Sequence, residues 1–136
     1  MVYCSKDLEV CPWCIADGRL ERDHAGELND DNGLLRAGVP KSIVREVASR
    51  TPGYTSWQSE DWLACCDDAC EFHGDAKASE LRALDTKGLT DCSRDTELRV
   101  EDLLEMFETY EPGGSPAFYK FVCRHCRRVR YGWDCD

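Results

Sequence analysis

Three short-spaced cysteine pairs constrain this chain more than any other feature: Cys11/Cys14, Cys66/Cys70 and Cys123/Cys126. Two of them have the C-x2-C spacing that lets both sulfurs of one tight turn face a single ion. Zinc takes four such soft ligands in a tetrahedron, commonly as two pairs brought together by the fold. Ten cysteines in 136 residues fall just short of the density that marks a secreted disulfide scaffold. Residues 1–9 hold no basic segment leading into an apolar one, and no run nears the roughly 20 apolar residues that span a bilayer. A cytoplasmic, reducing location without membrane association is therefore expected, and there paired cysteines serve more often as metal ligands than as disulfides.

The spacing leaves the pairing open. Cys66/Cys70 with Cys123/Cys126 is the favoured foursome for Zn2+, because the first pair ends a Trp-rich segment and the second sits between two strands, as in a zinc-ribbon knuckle. Cys11/Cys14 would then need Cys4 and a histidine such as His24 or His73. Alternatively Cys11/Cys14 and Cys123/Cys126 are the two halves of one ribbon, with Cys66 and Cys70 left as buried thiols. Cys65, Cys92 and Cys4 read as core or incidental cysteines, since free cysteine is among the most buried residue types. Cys11-Pro12-Trp13-Cys14 also has the spacing of a thioredoxin-like redox pair, against which stands that it is not placed on a strand-to-helix turn of a βαβ unit. His24, His73 and His125 are scattered, and no Ser/His/Asp or Cys/His arrangement follows from their positions. No enzyme is expected, and a closed four-cysteine site would be structural.

At this length the chain is expected to form one domain, residues 1–136. Cys11 to Gly18 reads as a knuckle and residues 19–38 as a polar surface loop. Asn29-Asp30-Asp31-Asn32-Gly33 fails as a calcium loop, because the first and twelfth ligand positions would be Leu28 and Val39. Val39, Ile43, Val44, Val47 and Ala48 recur at helical spacing after Pro40, and Thr51-Pro52-Gly53 stops them. A second helix is predicted from Thr55, whose hydroxyl caps it while Gln58 reaches back from the third position, and it carries Trp57, Trp62 and Leu63. A weaker one covers Ala78 to Leu84, and residues 85–95 read as a loop or short irregular strand. The clearest helix runs from Val100 to Tyr110, with Val100, Leu103, Leu104, Phe107 and Tyr110 on one stripe and Glu101, Asp102, Glu105 and Glu108 opposite. Phe118, Tyr119, Phe121 and Val122 before Cys123, and Val129, Tyr131 and Trp133 after Cys126, predict an antiparallel hairpin. The fold class is α+β: three or four helices packed with a small antiparallel sheet bearing zinc-ribbon-like knuckles.

The net charge of −10 argues against binding to polyanions and favours a basic protein partner. Against that background Lys120, Arg124, Arg127, Arg128 and Arg130 stand together with no acid among residues 120–130. They motivate an alternative, a zinc-ribbon nucleic-acid or regulatory module, although arginines beside a thiolate knuckle also offset its charge.

Cys11-Pro12-Trp13-Cys14-Ile15-Ala16-Asp17-Gly18 resembles the bacterial CbrC family. The similarity continues through Thr51-Pro52-Gly53-Tyr54, Trp57-Gln58, Trp62-Leu63, Cys66-x-Asp68-Ala69-Cys70-x-Phe72-x-Gly74, Phe121-x-Cys123-x-His125-Cys126 and Trp133-Asp134-Cys135-Asp136. The family is associated with colicin tolerance. The resemblance therefore implies a non-catalytic protein of toxin-immunity or tolerance type, whose acidic surface meets a basic toxin. It also implies a further C-x2-C ahead of the hairpin that leads into CPWC. This chain lacks that pair, so the site it would complete with Cys11 and Cys14 is expected to be incomplete or rebuilt with Cys4.

Overall fold

The computed structural model describes residues 8–58 and 60–136, so Cys4 lies outside the described residues. They divide into two compact units, one drawn from residues 8–55 and 60–69, the other from Ser56–Gln58 and Cys70–Asp136.

The first unit holds α1 (Pro12–Ala16), α2 (Arg19–His24), α3 (Asn32–Arg36), α4 (Lys41–Arg50) and a hairpin of β1 (Ala64–Cys65) and β2 (Asp68–Ala69). The helical spacing after Pro40 produces α4, which buries Val44, Val47 and Ala48. Its C-terminal carbonyls are satisfied from outside: the buried Asn29 side-chain amide donates to Val47 O and Thr51 O, both at 2.8 Å, and Leu28 N–H donates to Ala48 O at 2.7 Å. Orphan carbonyls at a helix end need such partners. Where the sequence reads a knuckle, the structure has the single helical turn α1, because Pro12 suits the first helical position and Cys11 caps it, its Sγ accepting the Cys14 N–H at 3.4 Å. Residues 19–38, read as a loop, contain α2 and α3. Each is too short to show a period, and Leu20 and Leu34 bury them.

The helix predicted from Thr55 is absent among the described residues. Tyr54 and Trp62 are buried with ring centroids 6.0 Å apart, and the Tyr54 hydroxyl accepts the Asp61 N–H at 3.1 Å. Trp57 is instead half exposed, so the two tryptophans do not share a helical stripe.

The second unit contains β3 (Glu71–Asp75), α5 (Ala78–Arg82), α6 (Thr86–Thr96), α7 (Val100–Thr109), β4 (Ala117–Val122) and β5 (Val129–Asp134). The strands form an antiparallel sheet in the order β3-β4-β5, with Phe72 opposite Phe121 and Val122 opposite Val129. Asp134 on β5 accepts the Trp57 N–H at 2.8 Å and the Tyr119 hydroxyl at 2.9 Å, anchoring residues 56–58 to the sheet. Phe118 is fully buried, edge-on to Phe107 at 5.2 Å and to Tyr110 at 5.4 Å. These rings form one core with Ala76, Leu81, Cys92, Leu103 and Tyr131. The Tyr110 hydroxyl donates to Ala76 O at 2.9 Å, so this buried tyrosine is satisfied, and burial pushes it up to about 12.

Two readings of this unit change. Residues 85–95 lie mostly in α6, whose N-terminus Asp85 caps by accepting the Gly88 N–H at 2.8 Å and whose inner face buries Cys92 and Thr96. Gly88 and three threonines are poor helix formers, so capping and packing outweigh propensity here. Leu104 lies off the buried stripe of α7 and is 48% exposed, while Leu103 and Phe107 carry the packing. The Arg82 guanidinium donates to Phe107 O at 2.7 Å and Tyr110 O at 3.2 Å, closing the C-terminal end of α7.

Phe118→Ala is expected to lower the unfolding free energy by ~3–5 kcal/mol in a urea titration, since it opens a cavity among aromatic rings. Leu104→Ala on the exposed face is expected to change it by less than about 0.5 kcal/mol.

Candidate metal centre

The β4–β5 hairpin ends in Cys123-Arg124-His125-Cys126-Arg127-Arg128. Cys123 N–H donates to Arg128 O at 2.9 Å and Arg127 N–H to Cys123 O at 3.1 Å, folding the tip back on itself. Arg127 takes a left-handed φ of 60°, a conformation that disfavours side chains larger than glycine. The tip turns the backbone amides of His125 and Cys126 onto Cys123 Sγ, at 3.4 and 3.5 Å.

The β1–β2 hairpin presents the other two sulfurs. Cys65 pairs with Asp68, leaving Cys66 and Asp67 as a two-residue turn with φ of 55° and 56°. Positive φ at both central residues marks the type I′ turn that matches the twist of a hairpin. Adjacent residues of a regular strand point to opposite faces. The left-handed turn cancels that alternation, and Cys65 Sγ and Cys66 Sγ come within 3.9 Å. The Sγ atoms of Cys65, Cys66, Cys123 and Cys126 all lie within 4.8 Å of one another. Among the described residues this is the one such group able to hold a metal ion.

The group retains Cys66, Cys123 and Cys126 from the foursome favoured on sequence and replaces Cys70 with Cys65. Cys70 is buried just past the end of β2, beyond the hairpin turn that gathers the sulfurs. Cys65, read as incidental, is therefore a candidate ligand. Its sequence signal is the tandem Cys65-Cys66 followed by Asp67-Asp68, since aspartate tolerates the left-handed turn positions that such a hairpin needs.

Cys11 and Cys14 stand apart. Their sulfurs are 3.0 Å apart at the start of α1, and they join no third ligand among the described residues. His73, offered as a completing ligand, pairs with Glu71 at 3.1 Å, and His24 is the last residue of α2. Hydrogen bonding with Cys14, side chain and then backbone, draws the Cys11 thiol below its ordinary range, and the same side-chain bond pushes Cys14 up.

The basic residues of the hairpin face carboxylates. Lys120 bonds Glu80, Arg127 lies 3.6 Å from Glu71, and Arg130 holds Asp95 at 2.7 Å. Arg128 lies 3.5 Å from Asp91 and 3.8 Å from Asp95. Glu71 is held below the usual carboxylate range chiefly by its bond from His73, with Arg127 and Arg124 adding to it. Asp91 is lowered first by its bond from Lys87 and then by the charge of Arg128. The segregation of basic residues in sequence is thus balanced in space.

Helices, two small antiparallel sheets and a clustered thiol group define an α+β protein with a potential four-cysteine metal centre. The chain belongs to the uncharacterised protein family UPF0167, whose model matches residues 1–135. It is 46% identical over 125 residues to UPF0167 protein PA1536 of Pseudomonas aeruginosa, covering 92% of this chain and 70% of that relative. It is 34% identical over 131 residues to UPF0167 protein Mb2317 of Mycobacterium bovis, covering 92% and 69%. No solved structure matches. The CbrC resemblance is compatible with this membership. No helix among the described residues is long and apolar enough to cross a membrane.

No cysteine among the described residues forms a disulfide. Cys92 is the inert extreme: it is 1% exposed, and burial with the nearby Asp95 charge pushes its thiol up to about 12. Iodoacetamide at pH 8 is expected to leave Cys92 unmodified in the native chain and to modify it only on denaturation, as read by peptide mass mapping.

Proposed function

We propose that this protein binds one zinc ion through Cys65, Cys66, Cys123 and Cys126, and that it acts by binding a protein partner without catalysis. The observation that carries the reading is the approach of four thiol sulfurs to within 4.8 Å of one another. Zinc–sulfur bonds of about 2.3 Å in a tetrahedron place the sulfurs about 3.8 Å apart. The 3.9 Å between Cys65 and Cys66 fits that edge, and the 4.8 Å that bounds every spacing exceeds it by about 1 Å. Soft thiolates in a tetrahedral set select zinc over calcium or magnesium, which take oxygen ligands. Four protein ligands leave no open coordination position, so the role is structural.

Such binding contributes roughly 10–16 kcal/mol in zinc-finger peptides, comparable to the whole net stability of a domain. Zinc with four thiolates carries two net negative charges, taking the chain from −10 to about −12. That charge supports a basic protein as partner, of which a bacterial toxin is one instance, with association speeded by electrostatic steering. The carboxylate partners of Lys120, Arg127, Arg128 and Arg130 support this over nucleic-acid binding.

Native mass spectrometry of the chain and its variants tests the ligand set. One zinc ion is expected in the wild type and in Cys70→Ala, and none at this centre in Cys65→Ser. Retention of zinc by Cys65→Ser with loss in Cys70→Ala would contradict it. Binding to a basic protein is expected to weaken about tenfold or more on joint reversal of Glu101, Glu105 and Glu108 to lysine at low salt, measured by calorimetry.

A further inference from the structure

The dithiol at the start of α1 remains outside the metal centre. We propose that Cys11 and Cys14 form a thiol–disulfide couple that exchanges with low-molecular-weight disulfides. This inference is independent of the zinc reading.

The geometry is that of two sulfurs ready to bond. One turn of helix puts positions three apart on the same face, and here it holds the two Sγ atoms 3.0 Å apart. This is shorter than the ~3.8 Å edge of a zinc tetrahedron and about 1 Å from the ~2.05 Å of a disulfide. A metal would need further ligands, and among the described residues no His, Cys, Asp or Glu makes a third with this pair. The two sulfurs are not equivalent. Cys11 is exposed and its Sγ accepts the Cys14 N–H at 3.4 Å while lying 3.0 Å from the Cys14 sulfur, whereas Cys14 is half-buried. Cys11 is therefore the attacking sulfur and Cys14 the resolving one. Trp13 between them is 79% exposed, an obstacle to a broad protein surface and none to a small disulfide.

In the exchange the Cys11 thiolate attacks one sulfur of R–S–S–R. The Cys11–S–S–R bond forms, the substrate bond breaks, and RS− leaves. Cys14 then loses its proton to solvent and attacks Cys11 Sγ, forming the Cys11–Cys14 disulfide and expelling the second RS−. Two protein thiols are oxidised by two electrons, one substrate disulfide is reduced, and the two thiol protons end on the two RSH products.

The test is equilibration of the zinc-loaded full chain in glutathione buffers spanning fully reduced to fully oxidised, followed by acid quench, alkylation and peptide mass mapping. The peptide holding Cys11 and Cys14 is expected to pass in one two-electron step from doubly alkylated to an internal disulfide, while Cys65, Cys66, Cys123 and Cys126 stay unchanged. Cys14→Ser is expected to stop at a Cys11–glutathione adduct, and Cys11→Ser to form an adduct at Cys14 at least tenfold more slowly. Absence of the internal disulfide in the wild type across that range would overturn the proposal. So would a second zinc ion that disappears in Cys11→Ser. The wild-type result decides even where a variant folds poorly.

Discussion

Four sulfur atoms within 4.8 Å of one another cannot all be thiolates unless a cation sits among them. Two unit charges 4 Å apart repel by about 4 kcal/mol at an effective dielectric of 20, and four thiolates make several such pairs. The local conformations that create this crowding are themselves costly. Cys66 and Arg127 each hold a left-handed φ that most side chains disfavour, on the order of 1–2 kcal/mol apiece. Little apolar contact offsets that cost, since Arg124, His125, Cys126 and Arg127 at one turn and Cys66 and Asp67 at the other are exposed. Strained turns that gather nucleophilic sulfurs at a surface are explained if a metal ion supplies the missing energy.

Electrostatics follows the same logic of local compensation. The Asp95 side chain is 1% exposed, and a carboxylate buried to that degree requires a cation. Arg130 on β5 and Arg128 just before it answer it. The basic run that invites a nucleic-acid reading in the sequence is therefore part of how α6 is fixed to β5. The acids left over lie on the outer face of α7 and in loops, where they set the character of the surface.

The elements legible in the sequence are those whose packing imposes a period. Phe118, Phe121, Val129, Tyr131 and Trp133 mark the β4–β5 hairpin, and Leu103 and Phe107 mark α7. The elements that escape are held by single capping or turn interactions. α6 depends on Asp85 at its cap and on Cys92 and Thr96 inside, in a segment whose Gly88 and threonines argue locally against a helix. The β1–β2 hairpin has strands of two residues, too short for alternation, and it follows the segment expected to be helical, where Trp62 packs on Tyr54 while Trp57 is half exposed. Cys65 was hidden for a related reason. Spacing rules assume that neighbouring side chains diverge, and only the paired left-handed residues after Cys65 make two adjacent sulfurs converge. Cys123 and Cys126 needed no such exception.

The central claim is that these two turns together form one tetrathiolate centre. X-ray absorption at the zinc K-edge of the purified, zinc-loaded chain tests it most directly. The account expects a first shell of four sulfurs at about 2.3 Å. A shell containing nitrogen or oxygen in place of one or more sulfurs would contradict it.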